Sequence, residues 1–120
     1  MVFGGPYSNL QATQALLAEA ERRQIPPENM ICTGDVVAYA ADPQACCDLV
    51  RNSGMTVVMG NCEEALAAGA EDCGCGFDEQ SDCAVLSVEW YAYALSQVDR
   101  ATCDWMAGLP RRVDLRMGGA

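Results

Sequence analysis

The chain has 120 residues, 51% hydrophobic and 20% charged, which suits one domain with a core of its own and is too short for two. Its 17 acidic residues against 7 basic ones, all arginine, set the net charge at −10 and argue against nucleic acid as a partner, because a phosphate backbone would be repelled. Histidine, the commonest general base and metal ligand, is absent; no apolar run approaches the roughly 18 residues of a membrane helix, and no basic-then-apolar leader is present, so a cytoplasmic protein without a membrane partner is expected.

Met1 to Phe3 reads as the tail of a short apolar strand that turns at Gly4-Gly5-Pro6. Asn9 is placed to cap the helix that follows, in which Leu10, Leu16, Leu17 and Ala20 recur at helical spacing and Thr13 is the polar residue on their face. Pro26-Pro27 ends it. Met30 to Thr33 is a second apolar run, ending at Gly34-Asp35. Asp42 and Pro43 supply the N-cap and first turn of a second helix, Cys46, Cys47, Leu49 and Val50 its apolar face, and Gly54 its end. Thr56 to Met59 is a third strand, closed by Gly60-Asn61.

Residues 1–61 therefore predict an α/β core of strand-helix-strand-helix-strand order, in which continuous apolar strands imply a parallel sheet covered on both faces. Right-handed crossovers would bring Gly4-Gly5, Gly34-Asp35 and Gly60-Asn61 to one edge, where ligands bind in open α/β sheets. Across residues 62–108 the pattern changes to a short helix at Cys62–Ala70, a Gly-, Asp- and Cys-containing loop at Glu71–Ser81, and two helical stretches within Ser87–Ala107 broken near Asp99. Trp90, Tyr91, Leu95, Trp105 and Met106 are the expected core of that half. Residues 111–117 alternate like a strand. Both ends look cut, so a single partial domain is expected, with an unpaired strand edge that invites self-association.

Asp35 and Asn61 each follow a strand and a glycine, which places a carboxylate and an amide on neighbouring strand ends. Such oxygen donors suit hard divalent cations, although Gly-Asp is also ordinary turn chemistry. The stretch GDVVAYAADP, followed about two dozen residues later by VVMGNCEE, resembles the calcineurin-like metallophosphoesterases. Their usual blocks are D-x-H after the first strand, GD-x-x-x-Y after the second and GNH-[DE] after the third.

That resemblance implies a layered metallophosphoesterase-like sheet sandwich of which this chain holds the first half. It also implies metal-dependent hydrolysis of a small-molecule or protein phosphate ester, with Mn, Fe, Mg or Zn ions as cofactors. Asp35 matches the carboxylate that bridges two metals, and Asn61 the amide that ligates the second metal and approaches the phosphate. Cys62 stands where the family has a histidine that assists phosphate binding or leaving-group protonation. Asn9 matches the asparagine of the family's D-x-H-G-N block, which sets Gly5 and Tyr7 where its Asp and His ligands belong and brings Tyr7 and Asn9 toward the substrate. Glycine has no donor side chain and tyrosine is a poor ligand, so the first metal position is altered and the 120 residues by themselves are expected to be inactive. The alternative is a non-catalytic, cysteine-rich descendant that binds a metal or another ligand.

Eight cysteines are many for this length. Without a secretory leader they are expected as thiols or metal ligands rather than a disulfide framework. Cys32, Cys46, Cys47 and Cys103 lie in apolar segments, where cysteine acts as a small hydrophobe. Cys62, Cys73, Cys75 and Cys83 fall in a C-x10-C-x-C-x7-C pattern. They could hold zinc or an iron–sulfur centre, form a disulfide or redox pair, or remain ordinary thiols. Tyr39 and the Trp90, Tyr91 and Tyr93 group could meet a substrate ring, and their spacing equally suits a core. Arg111-Arg112 reads as a solvated charged pair.

Overall fold

A computed structural model describes residues 1–76, 78 and 80–118. Phe77 and Glu79, within the expected loop, and the terminal pair 119–120 lie outside the described residues. Three strands, β1 (Val2–Phe3), β2 (Ile31–Cys32) and β3 (Thr56–Val57), form a parallel sheet in the order β1-β2-β3. Val2 faces Ile31 and Ile31 faces Thr56 across the ladders, with Phe3, Cys32 and Val57 aligned one residue on. The crossovers carry α1 (Leu10–Arg22) and α2 (Pro43–Ser53). After β3 come α3 (Asn61–Ala68), α4 (Asp82–Gln97) and α5 (Arg100–Ala107).

The helix boundaries follow local chemistry. Asn9 Oδ1 accepts the Ala12 N–H at 3.0 Å and so caps α1 as expected. The Thr13 hydroxyl donates to the Asn9 carbonyl at 2.8 Å, which lets a polar residue sit on the buried face. Pro43 opens α2 and Gly54, at φ +82°, closes it in the left-handed conformation. Asp42 occupies the N-cap position there, yet its side chain makes no capping bond. The helix break near Asp99 is confirmed, for Asp99 Oδ1 accepts the Thr102 N–H at 2.7 Å and caps α5. The preceding helix starts five residues earlier than Ser87, because Ser81 Oγ accepts the Ala84 N–H at 3.1 Å and caps it.

Three expectations are corrected. The strands are packed on one face rather than two: Cys32 and Val57 are buried, whereas Ile31 and Thr56 are half-buried and Val2 is 64% exposed. Two right-handed crossovers running the same way along the sheet put α1 and α2 on the same side, where they pack together. Residues 111–117 do not form a strand. The Met59 N–H donates to the Pro110 carbonyl at 2.8 Å. Beyond it, Arg111 pairs with Glu64 and Arg112 with Asp114, so side-chain pairing replaces a ladder. Leu95 is 43% exposed and is not core, whereas Trp90, Tyr91 and Met106 are buried and Trp105 is half-buried against them.

The core joins the helix side of the sheet to α2, α3, α4 and α5, through Met30, Cys32, Val50, Leu66, Tyr91 and Met106 among others. None of the described helices is long and apolar enough to cross a membrane.

Candidate active site

The three strand ends meet at one edge. The Gly5 N–H donates to the Gly34 carbonyl at 3.1 Å, that of Tyr7 to Asp35 at 3.1 Å, and that of Ser8 to Val36 at 2.8 Å, so the first loop lies along the second. The second and third loops approach even more closely. Gly34 has φ +100°, and a Cβ there would lie 2.7 Å from both the Gly60 Cα and the Val58 carbonyl oxygen. Only glycine fits such an approach.

Four of the five non-glycine residues with positive φ among the described residues stand in these loops: Tyr7 (+51°), Ser8 (+56°), Asp35 (+53°) and Tyr39 (+25°). Left-handed backbone at bulky residues costs energy and persists only where the surroundings enforce it, a pattern that gathers at functional sites. Here the enforcing contacts are identifiable. The Ser8 side chain is fully buried, and its Oγ accepts the Ala38 N–H at 3.2 Å while its carbonyl accepts the Asp42 N–H at 3.0 Å.

The centre of the arrangement is Glu63, a residue absent from the candidate set read from sequence. Its carboxylate is fully buried. Oε2 accepts the N–H groups of Asp35 at 2.8 Å and Gly60 at 2.9 Å, and Oε1 accepts those of Val36 at 2.7 Å and Val37 at 3.3 Å. One side chain thus fastens the β2 loop to the start of α3. Burial raises its carboxyl above the ordinary carboxylate range, and the donated N–H bonds, that of Asp35 foremost, oppose the rise. The local signal was available: a glutamate three residues after Gly60 is the N3 member of a capping box. That signal accounts for the Gly60 bond alone and not for the three bonds to residues 35–37.

Asp35 is half-buried at this edge, and its Oδ1 accepts the Cys62 N–H at 3.4 Å. Asn61 is exposed, and its Nδ2 donates to the Cys73 carbonyl at 3.0 Å, which fixes the amide's orientation. Asn61 Oδ1 accepts no hydrogen bond among the described residues. Cys62 is buried beside both. Burial, then the Asp35 and Glu63 carboxylates, push its thiol far up, so it is neutral at ordinary pH. The structure brings Asp35, Asn61 and Cys62 together, as the sequence suggested. The Asn9 side-chain oxygen is committed to the α1 cap. Tyr7 lies over Gly5, where a Cβ would collide with its ring, and packs against Tyr39 at 5.2 Å.

The aromatic row continues from Tyr39 to Trp90 at 5.3 Å and from Trp90 to Tyr91 at 5.8 Å, in tilted and edge-on geometries favoured by ring quadrupoles. The Trp90 indole N–H is buried without a hydrogen-bond partner among the described residues. Trp90 also lines a cleft of about 730 Å³.

Cys73 and Cys75 are joined as a disulfide, and Cys83 is an exposed free thiol. The four-thiolate cluster is therefore not assembled here. Among the described residues, no group of three or more histidine, cysteine, aspartate or glutamate side chains is placed to hold a metal ion. Asp35 and Asn61, with Gly5 and Tyr7 at the first-strand positions, do not fit a metal pair.

Thiol chemistry gives a direct check on these placements. Burial lifts Cys32 to about 11 and pushes Cys46, Cys47 and Cys62 up as well. A thiolate-selective reagent at mildly alkaline pH is expected to modify Cys83 first and half-buried Cys103 more slowly. Cys32, Cys46, Cys47 and Cys62 should react only after denaturant is added. Rapid native labelling of Cys62, located by peptide mass mapping, would contradict the buried position.

Against known structures, a metallophosphoesterase from Sphaerobacter thermophilus matches with a TM-score of 0.67 and 24% identity, over 94% of this chain and 42% of that one. The fold is part of a metallophosphoesterase-like α/β fold. An uncharacterized protein of Methanocaldococcus jannaschii is 38% identical over 55 residues, 46% of this chain and 22% of that protein. The chain thus spans less than half the length of the first and about a fifth of the second. No protein-family model matches the chain.

Proposed function

We propose that this metallophosphoesterase-like chain serves phosphate-ester hydrolysis, with Asp35 and Asn61 as its contribution at the reacting phosphate. The observation that carries this reading is the juxtaposition of an aspartate and an asparagine on adjacent strand ends, both anchored through the loops that Glu63 ties together. Divalent metal chemistry belongs to the same reading. The residues described here supply one carboxylate and one amide toward it, so no metal-centred step is derived from them.

The test uses the protein as its complete gene encodes it, purified without oxygen, with metal analysis and hydrolysis of 4-nitrophenyl phosphate. Asparagine tolerates the left-handed backbone of Asp35 and can still accept the Cys62 N–H, so Asp35→Asn should leave folding intact. Hydrolysis is expected to fall about a hundredfold or more, as when a transition-state contact is removed. Equal rates in both proteins would overturn the assignment of Asp35. The altered positions at Gly5 and Tyr7 favour the second reading, a non-catalytic ligand-binding descendant. Zinc or iron held by cysteine, with no turnover, would establish that alternative.

A further inference from the structure

The cleft beside the sheet edge has a lining that Asp35 and Asn61 leave unused. Tyr39 forms one wall and remains 56% exposed, although its ring stands between those of Tyr7 and Trp90. Ala40, Leu86, Trp90 and Tyr93 complete an apolar lining, and Glu89 is the one charged residue on it. A volume of about 730 Å³ lies within the range of small-molecule sites. The lining is held in place before any ligand arrives: Trp90 is buried, and the Tyr93 hydroxyl donates to the Ala41 carbonyl at 2.7 Å, tying α4 to the segment after Tyr39.

Tyr39 also connects the cleft to the phosphate edge. It follows Asp35 by four residues, and its ring contacts Tyr7, whose N–H is bonded to the Asp35 carbonyl. Burial, and then Cys62, Tyr7 and Asp35 nearby, push its phenol up, as expected for a hydroxyl close to that edge.

We propose that this cleft is a subsite for a planar aromatic ring bearing an amino group, such as a purine base, forming the non-phosphate part of an ester whose phosphate lies at Asp35 and Asn61. The placement of the phosphate rests on the phosphoesterase reading, whereas recognition of the ring rests on the cleft alone. Exposed tyrosine and apolar walls favour stacking of a flat ring over an aliphatic group. The Glu89 carboxylate is an acceptor for a ring amino group, and it disfavours a ring that carries negative charge. Val85 and Val88, exposed apolar residues on the same helix, lie outside the lining.

The experiment is calorimetric titration of the chain with adenosine, adenosine monophosphate, ribose and inorganic phosphate. Adenosine is expected to bind and ribose not to. Tyr39→Ala should weaken adenosine about tenfold, the value of one base–aromatic stack, and Leu86→Asp should weaken it by placing a carboxylate on the apolar wall. Leu86 is 60% exposed, so that variant keeps its fold and remains informative if Tyr39→Ala does not. Adenosine binding without any gain from the phosphate would sustain the subsite while removing the phosphoesterase reading. Phosphate binding without adenosine binding, unchanged adenosine affinity in Leu86→Asp, or burial of the cleft by a second copy in sedimentation would overturn the subsite.

Discussion

Glu63→Gln is expected to lower the stability of the chain by on the order of 4 kcal/mol, read as a shift in the midpoint of urea unfolding. A carboxylate can accept at both oxygens, and both oxygens of Glu63 accept two backbone N–H groups each. Glutamine has one carbonyl oxygen. Turned one way, its NH₂ faces the buried N–H donors of Val36 and Val37, and turned the other way the part-buried donors of Asp35 and Gly60; each unsatisfied donor costs about 1–3 kcal/mol. Small domains are stable by only about 5–15 kcal/mol, so this single atom change consumes a large part of the margin. Glu64→Gln is the matched control. Glu64 is exposed and pairs with exposed Arg111, an arrangement worth at most about 1 kcal/mol. Equal midpoints for the two variants would show that the four N–H bonds do not hold the loops. Because Asp35 and Gly60 are both among the donors, Glu63→Gln should also impair whatever the Asp35–Asn61 edge binds.

Gly34→Ala is expected to cost about 2–5 kcal/mol and to separate the second and third strand ends. Two effects add. A positive φ costs an L-residue roughly 1–2 kcal/mol. The new methyl would lie 2.7 Å from the Gly60 Cα and the Val58 carbonyl oxygen, an overlap with backbone that no rotamer relieves and that costs about 1–3 kcal/mol. Gly54→Ala provides the contrast. It too has positive φ, but the nearest atom to its Cβ is Pro27 Cβ at 4.0 Å, so only the backbone term remains. A Gly34→Ala midpoint no lower than that of Gly54→Ala would mean the loops separate freely. In the expected case, hydrogen exchange at Asp35 and Val36 should accelerate, since their N–H groups depend on Glu63 staying in reach.

Much of the architecture was legible because it is written in short-range patterns. Asn9 and Asp99 each mark a helix start through a cap whose partner lies three residues on, and Gly54 marks a helix end through its left-handed backbone. Gly34-Asp35 and Gly60-Asn61 are legible as turn residues following short apolar runs. The strand expected at 111–117 shows the limit of such patterns. Alternation permits a strand, but a strand needs a second backbone, and after Pro110 none pairs with it among the described residues. Leu95 misled likewise, since helical spacing does not say which side of α4 meets the core.

The candidate site divides along the same line. Sequence alone determined that an acidic, histidine-free chain alternates strands and helices and sets Asp35 and Asn61 at one sheet edge, because chain direction and crossover handedness leave little choice. Tertiary structure alone decided that Glu63 ties the loops, that Ser8 supports Ala38, and that Tyr7, Tyr39 and Trp90 stand in one row. Those contacts join residues 26 to 51 positions apart, whose side chains meet only after the parallel sheet has formed. A local pattern can state that a glutamate caps its own helix; it cannot state which distant backbone the remaining lone pairs will find.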